Sequence, residues 1–358
     1  MGALPLSGVV VVDCARMLPG AVLARMLRDL GARVIKVEDP RSGDMMRYAP
    51  PLVDGVGAGF SAFYRGTESI TLDLRDPQGA AALRGLAARA DVLVESFRPG
   101  TMEKWDLGYD SLAAENRGLI YCALSGFGER GGMGDRVGHD LNFVAASGLL
   151  SLLPPGDRLP ETQFADVASG MLAATSVLAA LLLKARTGEG ARIDQPLAVG
   201  PLPFLAWPMA DHAAGGDGLT EHLLAGEAPS YRVYTCADGR RVALGAIEPK
   251  FWATLMAAMG LEALMGDGLA VGAAGEAAAA QVAARFQAAP ASHWLALAEA
   301  ENLPLSAVND LASAAGDPYY QAQTSFTPTW RPAEAAGAPA LGEGTARVLA
   351  EFGIESNA

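Results

Sequence analysis

The sequence predicts an α/β protein whose first half forms a parallel β-sheet. Short β-branched runs alternate there with segments whose apolar residues recur at helical spacing, as in residues 8–13, 21–30 and 34–38. This alternation is typical of a parallel sheet with right-handed crossover helices. Prolines and glycines over residues 201–218 then mark a change in composition, and a hairpin signal follows it. Because 358 residues exceed the ~250–300 that one core usually serves, we expect two domains or one large domain with an insertion.

The first βαβ unit carries the clearest pattern. Residues 8–13 include four consecutive valines, which favour a buried parallel strand. Residues 21–30 place apolar side chains on one helical face, and Gly31 follows where the C-terminal glycine of a helix belongs. Residues 34–38 then predict the second strand.

The later elements repeat this pattern, each with its own signal. Pro77 suits the first turn of a helix, and Ala237-Asp238-Gly239 predicts a hairpin turn. The segment 166–186 predicts a long, apolar, buried helix. The further predicted strands cover residues 92–94, 119–124, 231–235 and 241–246, and the further predicted helices cover residues 77–90, 141–150, 251–300 and 345–352.

The composition excludes several classes of function. The chain has 27 basic and 40 acidic residues, a net charge of −13, and no basic cluster, so we expect no nucleic-acid partner. Three separated cysteines predict neither a disulfide scaffold nor a zinc site, and we expect no other metal. Asp13 interrupts the apolar run near the N-terminus, which argues against a signal peptide. The apolar stretch 171–183 is too short to span a bilayer. We therefore expect a cytoplasmic protein with no membrane partner.

Two common catalytic frameworks are disfavoured by missing motifs. Glu38 ends the second predicted strand, where dinucleotide-binding folds place a ribose-binding acid, but no GxGxxG follows the first strand. Neither the phosphate-binding GxxxxGK[ST] motif nor the GxSxG nucleophile motif occurs in the sequence. A nicotinamide-dependent enzyme and an α/β-hydrolase are therefore poor interpretations.

Three titratable residues stand at predicted junctions between a loop or strand and a helix. His139 follows a glycine-rich loop, at a helix beginning whose free N–H groups favour negative charge, although it could simply hydrogen-bond the loop. Asp166 opens the apolar helix and would serve there as an N-cap. Glu248 ends a strand before Pro249 and could be a simple helix-start carboxylate.

These residues lie in three longer motifs: Val137-Gly138-His139-Asp140-Leu141-Asn142-Phe143, Phe164-Ala165-Asp166 and Gly245-Ala246-Ile247-Glu248-Pro249-Lys250-Phe251. Together they resemble the α-methylacyl-CoA racemases, which belong to the family III CoA-transferases. The resemblance extends over nearly the whole chain, from Leu6-Ser7-Gly8 to Leu341-Gly342-Glu343. Between these ends it includes residues 34–40, 90–100 and 124–128.

The resemblance implies an architecture as well as a fold. It implies a Rossmann-like, CoA-binding large domain with a parallel sheet, formed by residues 1–195 and 330–358, and a smaller α+β domain formed by residues 225–320. Linkers would cover residues 196–224 and 321–329. Two such chains would form an interlocked homodimer, in which each active site is shared between the large domain of one subunit and the small domain of the other.

The resemblance also assigns roles to residues. His139 and Asp166 would be the acid/base pair, Glu248 of the partner subunit would orient His139, and the backbone N–H of Asp140 would stabilise an enolate oxygen. The implied enzyme is an isomerase that inverts the α-carbon of 2-methylacyl-CoA thioesters by two-base 1,1-proton transfer. CoA would be part of this acyl-CoA substrate, and no separate cofactor is expected.

Two alternatives stay open. The transferase branch of the family uses the residue that matches Asp166 as a nucleophile to move CoA between carboxylic acids. That reaction gives a histidine opposite the carboxylate no required role, so Gly138-His139-Asp140 favours the racemase. A degenerate family member that binds an acyl thioester without turnover is the second alternative.

The expected nucleotide contacts depart from the family pattern. Four basic residues are candidates for binding the CoA phosphates: Arg65, Arg75, Arg98 and Lys104. Each of them would also fit a solvated surface charge. The family usually has a basic pair where this sequence has Thr67 and Glu68, and this change predicts weaker nucleotide binding.

Overall fold

The computed structural model describes residues 4–129, 132–134, 136–153, 159–216, 222–323, 325–326 and 337–355. The chain divides into two compact units. Unit 1 comprises Met1–Pro203 and Gln323–Ala358, and unit 2 comprises Phe204–Ala322.

A parallel six-stranded sheet organises unit 1. The strands of this unit are β1 Val10–Asp13, β2 Arg33–Glu38, β3 Leu52–Val53, β4 Val56–Gly57, β5 Glu68–Thr71, β6 Val92–Glu95, β7 Ile120–Ser125 and β8 Ala191–Pro196. The main sheet has the order β5-β2-β1-β6-β7-β8, and all of its pairs are parallel. This is the doubly wound order of Rossmann folds, with the topological switch point between β1 and β6. The predicted Rossmann-like parallel sheet is confirmed.

Helices cover both faces of this sheet. Among the described residues of both units, the helices are α1 Met17–Asp29, α2 Ala58–Tyr64, α3 Pro77–Ala87, α4 Thr101–Lys104, α5 Tyr109–Glu115, α6 Asp140–Ser147, α7 Phe164–Thr187, α8 Leu202–Ala213, α9 Pro249–Met259, α10 Gly272–Phe286, α11 Ala291–Glu301, α12 Leu311–Gly316, α13 Pro318–Gln321 and α14 Thr345–Glu351. Side chains alternate along β1, so that Val11 joins the core under α1 and α7, and Val12 joins the core under α3 and α14. Both faces of the sheet are therefore buried, as parallel sheets require.

The long helix α7 is buried along only one face, contrary to the sequence-based expectation. Small residues on that face allow a close approach to α1, and a Cβ on Gly170 would fall 2.6 Å from the carbonyl oxygen of Pro19. Large residues point the other way, and Met171, Leu182 and Leu183 are 50–56% exposed. The 24-residue helix is long and apolar enough to cross a bilayer by length and composition alone.

Unit 2 is a small α+β structure. Its strands β9 Tyr231–Thr235, β10 Arg241–Gly245 and β11 Leu305–Ala307 form an antiparallel sheet in the order β11-β10-β9. Helices pack on this sheet through Trp252 and Phe286, both almost fully buried. The predicted hairpin is confirmed, whereas the three-residue strand β11 was too short to carry a sequence signal.

The stretches expected to be linkers are only partly described. Residues 202–213 of the first one form α8, and residues 217–221 lie outside the described residues. In the second one, residues 324 and 327–329 lie outside them as well. The linker boundaries stay predictions.

Candidate active site

His139 occupies the N-cap position of α6 in unit 1. Its backbone is extended, and its N–H donates to Asn142 Oδ1 at 3.0 Å. Its carbonyl oxygen accepts from the N–H of Asn142 at 2.8 Å, which begins the helix. Phe143, fully buried against Phe127, anchors this first turn in the core. The His139 side chain is consequently held at an exposed helix beginning.

Asp166 lies in the first turn of α7, but it is not the N-cap that the sequence predicted. Gln163 occupies the cap position, and Asp166 is the third residue of the helix. Its N–H donates to Asp140 Oδ1 at 3.0 Å, so a residue 26 positions earlier caps the helix. The carboxylate of Asp166 therefore does not serve as the helix cap.

The protonation of Asp166 is shifted towards neutrality. Burial and, after it, the negative charge of Asp140 raise the pKa of Asp166 to about 6, while His139 acts in the opposite direction. A carboxyl with this pKa exchanges a proton readily near neutral pH, as a general acid or base must. The structure thus brings His139, Asp140 and Asp166 together at the beginnings of two neighbouring helices.

The amide of Asp140 lies at the N-terminus of a helix. Asp140 is the first residue of α6, where helical N–H groups have no acceptor within the helix. Such groups, together with the helix dipole, stabilise negative charge.

Glu248 belongs to unit 2. It is the N-cap of α9, and its carbonyl oxygen accepts from the N–H of Phe251 at 3.0 Å. Its side chain is exposed and makes no capping hydrogen bond. The position is that of a helix-start residue, and the expected action of Glu248 on His139 stays a prediction.

The candidate phosphate-binding residues fall in different places. Arg75 lines a cavity at the carboxyl ends of β1, β2, β5 and β6, which we call the carboxyl-end cavity. Arg75 is half-exposed and pairs with Asp73 at 2.7 Å and Asp39 at 2.5 Å. Arg65, Arg98 and Lys104 are exposed and do not line this cavity.

Sequence reasoning missed several residues of the carboxyl-end cavity. The rings of Phe97 and Trp105 meet edge to face at 5.1 Å, and the Arg16 guanidinium lies 5.2 Å from the centre of the Phe97 ring. The available signal was position, since Arg16 and Phe97 follow directly after the two strands that flank the switch point.

Thr67 and Glu68 both have hydrogen-bond partners within unit 1. Thr67 is buried and donates from Oγ1 to the carbonyl oxygen of Tyr64 at 2.7 Å. Glu68 begins β5 and accepts from Arg33 and Arg347, each at 2.6 Å. They lie at the amino end of β5, opposite the carboxyl-end cavity. The expectation that they weaken nucleotide binding stays a prediction.

A buried charge cluster lies beneath the carboxyl-end cavity. Lys36 has no solvent exposure, and its Nζ lies 3.5 Å from Asp13 and 3.3 Å from Asp44. The nearby carboxylates hold the pKa of Lys36 well above its usual value despite burial, which acts the other way. Tyr64 donates to Asp13 at 3.2 Å.

Glu95, at the end of β6, is buried, and within the described part of the chain no cationic side chain contacts it. Its carboxyl accepts from the Phe97 N–H at 2.6 Å and from the Tyr121 hydroxyl at 3.4 Å. Burial raises the pKa of Glu95 to about 8, and the charge of Glu103 adds to this effect. Within the described residues, no group of three or more His, Cys, Asp and Glu side chains is placed to hold a metal ion.

Comparison with known proteins identifies relatives over most of the chain. CoA-transferase family III matches residues 6–350. The chain is 39% identical over 263 residues to the α-methylacyl-CoA racemase of Homo sapiens, a match that covers 72% of this chain and 65% of that protein. It thus spans just under two thirds of that relative. It is 33% identical over 318 residues to the succinyl-CoA:glutarate CoA-transferase of Mus musculus, covering 86% and 72% of the two chains.

Solved structures show the same fold. A CAIB/BAIF family protein from Brucella suis superimposes with a TM-score of 0.82 at 31% identity, covering 98% of this chain and 100% of that one. Racemases and CoA-transferases both occur among the relatives at similar identity.

Proposed function

Because the chain belongs to CoA-transferase family III, we propose that it is a racemase or epimerase that inverts the α-carbon of 2-methylacyl-CoA thioesters. The observation that carries the proposal is the pairing of His139 with Asp166 at the beginnings of α6 and α7, with the pKa of Asp166 raised to about 6. Inversion needs one acid/base group on each face of the carbon, and these two residues supply them.

The proposed reaction is a two-step proton transfer. One of the pair removes the α-proton, and the C–H electron pair moves into an enolate whose oxygen carries the negative charge. The Asp140 N–H donates to that oxygen. The other residue then donates its proton to the opposite face of the α-carbon, which gives the inverted thioester. Neither step requires an electron acceptor or a metal ion.

The surface around the mouth of the carboxyl-end cavity, whose interior of about 30 Å³ is too small for a nucleotide, is the proposed site for the nucleotide part of CoA. It lies at the ends of parallel strands beside the switch point, where α/β sheets bind ligands. Arg75 supplies positive charge for a phosphate group, and Phe97 and Trp105 supply aromatic surface.

We also propose a homodimer with shared active sites. The exposed apolar side of α7, including Met171, Leu182 and Leu183, is the kind of surface that an obligate interface buries. Glu248 of the partner subunit would then reach His139 and orient its ring. A stable folded monomer at micromolar concentration, seen by light scattering, would contradict the dimer.

The alternative is a CoA-transferase in which ionised Asp166 attacks the thioester carbonyl, the C–S bond breaks, and a mixed anhydride forms as the CoA thiolate leaves. The transferase relatives favour it. A pKa near 6 suits a group that both donates and accepts a proton. The transferase leaves His139 without a required task.

One experiment separates these reactions. The protein is incubated with a single enantiomer of a 2-methylacyl-CoA in deuterated water, and in parallel with the same thioester plus a free carboxylic acid. Deuterium at the α-carbon with inversion supports the racemase. Transfer of CoA to the free acid supports the transferase. If neither deuteration nor CoA transfer occurs, the result favours a family member that only binds the thioester.

A further inference from the structure

The side chain of Asp140 links the two residues of the proposed acid/base pair. Asp140 follows His139 directly and begins α6, and its Oδ1 accepts from the Asp166 N–H at 3.0 Å. Asp140 is therefore bonded covalently to His139 and hydrogen-bonded to the backbone of Asp166. In the proposed reaction the backbone N–H of Asp140 contacts the enolate oxygen, whereas its carboxylate contacts the backbone of Asp166.

The hydrogen bond is a long-range helix cap. The first N–H groups of α7 need acceptors from outside the helix, and the N-cap residue Gln163 makes no side-chain cap. Asp140 in α6 supplies such an acceptor to the N–H of Asp166, the residue whose carboxyl would exchange the proton. The negative charge of Asp140 also interacts favourably with the positive end of the α7 dipole.

The same carboxylate places a like charge near the Asp166 carboxyl. Two neighbouring carboxylates disfavour each other's ionisation, which raises the pKa of the one that is less solvated. Burial is the largest cause of the raised pKa of Asp166, and Asp140 is the second.

The other groups around Asp166 are few among the described residues. From α6, His139 opposes the effect of Asp140. In the described segment that precedes α7, Glu161 lines the same pocket as Asp140. The first half of α1, which packs against Gly170, and the turn Leu197–Val199, whose Leu197 accepts from Ser169 Oγ, carry no titratable side chain.

We propose that the Asp140 carboxylate is a positioning residue, which joins the beginnings of α6 and α7, fixes Asp166 relative to His139 and presents a negative charge to the Asp166 carboxyl. This inference rests on the proposed function for its catalytic consequence. It assigns Asp140 two separate tasks, since its N–H faces the substrate oxygen and its side chain faces the base.

Two variants separate the effect of the Asp140 hydrogen bond from the effect of its charge. Asp140→Asn retains an oxygen that accepts from the Asp166 N–H but removes the charge, whereas Asp140→Ala removes both. Asp110→Asn is the matched control, because Asp110 is an exposed acid in the first turn of α5. Carbon NMR of the full-length protein labelled at the aspartate carboxyl carbons follows titration without substrate, and Asp166→Asn identifies the Asp166 signal.

We expect Asp166 to titrate near pH 6 in the wild-type protein and in Asp110→Asn. In Asp140→Asn the midpoint should fall by on the order of one pH unit. The pH profile of α-proton exchange should shift in the same direction, with most of the rate kept at its new optimum. Asp140→Ala should show a comparable shift of the midpoint and a further loss of rate, since Asp166 is no longer held.

An unchanged Asp166 midpoint in Asp140→Asn would overturn the proposal. So would a pair of variants that lose thermal stability with an unaltered pH profile, because that is the behaviour of a purely structural cap. If the midpoint moves as expected but the wild-type protein exchanges no α-proton, the action of Asp140 on Asp166 stands and only the proposed racemase activity fails.

Discussion

His139 precedes the first turn of α6, Asp166 lies in the first turn of α7, and the charge of His139 lowers the pKa of Asp166 against the effect of burial. The two residues are therefore electrostatically coupled, and His139 favours the charged form of Asp166. Such coupling suits a pair that exchanges roles as acid and base.

This pairing predicts different defects for the two single variants. His139→Ala and Asp166→Ala should each lower racemisation by about 10²–10⁴-fold, because each removes one acid/base group. Each variant should still exchange the α-proton of one enantiomer with solvent, with retention, and the two should prefer opposite enantiomers. Proton exchange of each enantiomer in deuterated water measures this.

The control for the histidine is His212→Ala, since His212 is an exposed histidine at the end of α8. It should keep full activity. A His139→Ala protein that retains turnover and only melts earlier would assign His139 a structural role instead.

Arg75→Ala should weaken CoA binding by roughly tenfold, as expected for losing a hydrogen bond to a charged group. The wild-type affinity should also fall with rising salt, and Arg75→Ala should reduce that dependence, because exposed ion pairs are screened. Calorimetric titration with CoA at two salt concentrations measures both effects. Arg117→Ala, at an exposed arginine paired with Glu189, is the matched control. Equal CoA affinities for the two variants would show that the nucleotide does not bind at the carboxyl-end cavity.

Glu68→Ala should lower stability without affecting CoA binding. Its carboxylate joins Arg33 of β2 to Arg347 of α14, and partly exposed ion pairs of this kind contribute up to roughly 1 kcal/mol each. The separate variant Thr67→Lys should lower the stability of the protein more than Glu68→Ala does, because it places a charge at a buried position. Urea denaturation and CoA titration together check this, and a clear gain in CoA affinity would place the loop at the nucleotide after all.

Glu95→Gln should remove a pH dependence of folding. The folded protein keeps the Glu95 proton up to about pH 8, whereas an unfolded glutamate releases it near pH ~4.3. Stability contributed by the protonated form is therefore lost as pH rises through this window. The variant should match the wild-type protein near pH 5 and exceed it at pH 8.5, by roughly 2–4 kcal/mol. Urea denaturation at both pH values tests this, and parallel curves would show that Glu95 is ionised at neutral pH.

Lys36→Met should be strongly destabilising, by roughly 3–5 kcal/mol, because it leaves the buried carboxylates of Asp13 and Asp44 without their cation. The double variant Lys36→Met with Asp13→Asn should recover part of this loss by removing one unpaired charge. Denaturation midpoints of the two proteins give the comparison. A single variant as stable as the wild-type protein would mean that the cluster contributes no net stability.

Much of the fold could be predicted because its signals are local. The valine run of β1, the helical spacing of α1 and the Asp-Gly turn between β9 and β10 depend on residues close in the chain, and each prediction was confirmed within a few residues. The motifs around His139 and Asp166 were equally visible, since each lies in a short segment at a helix beginning.

The sequence by itself determined the parallel sheet, the family resemblance and the identity of the candidate acid/base residues. Only the tertiary structure decided how those residues are held. Asp140 and Asp166 are 26 positions apart and Glu68 and Arg347 are 279 apart, so no local pattern announces either contact. Burial decided the rest: it raises the pKa of Asp166 and Glu95, and it leaves one side of α7 uncovered. Burial depends on which surfaces the fold brings together, and period and spacing along the chain do not contain that information.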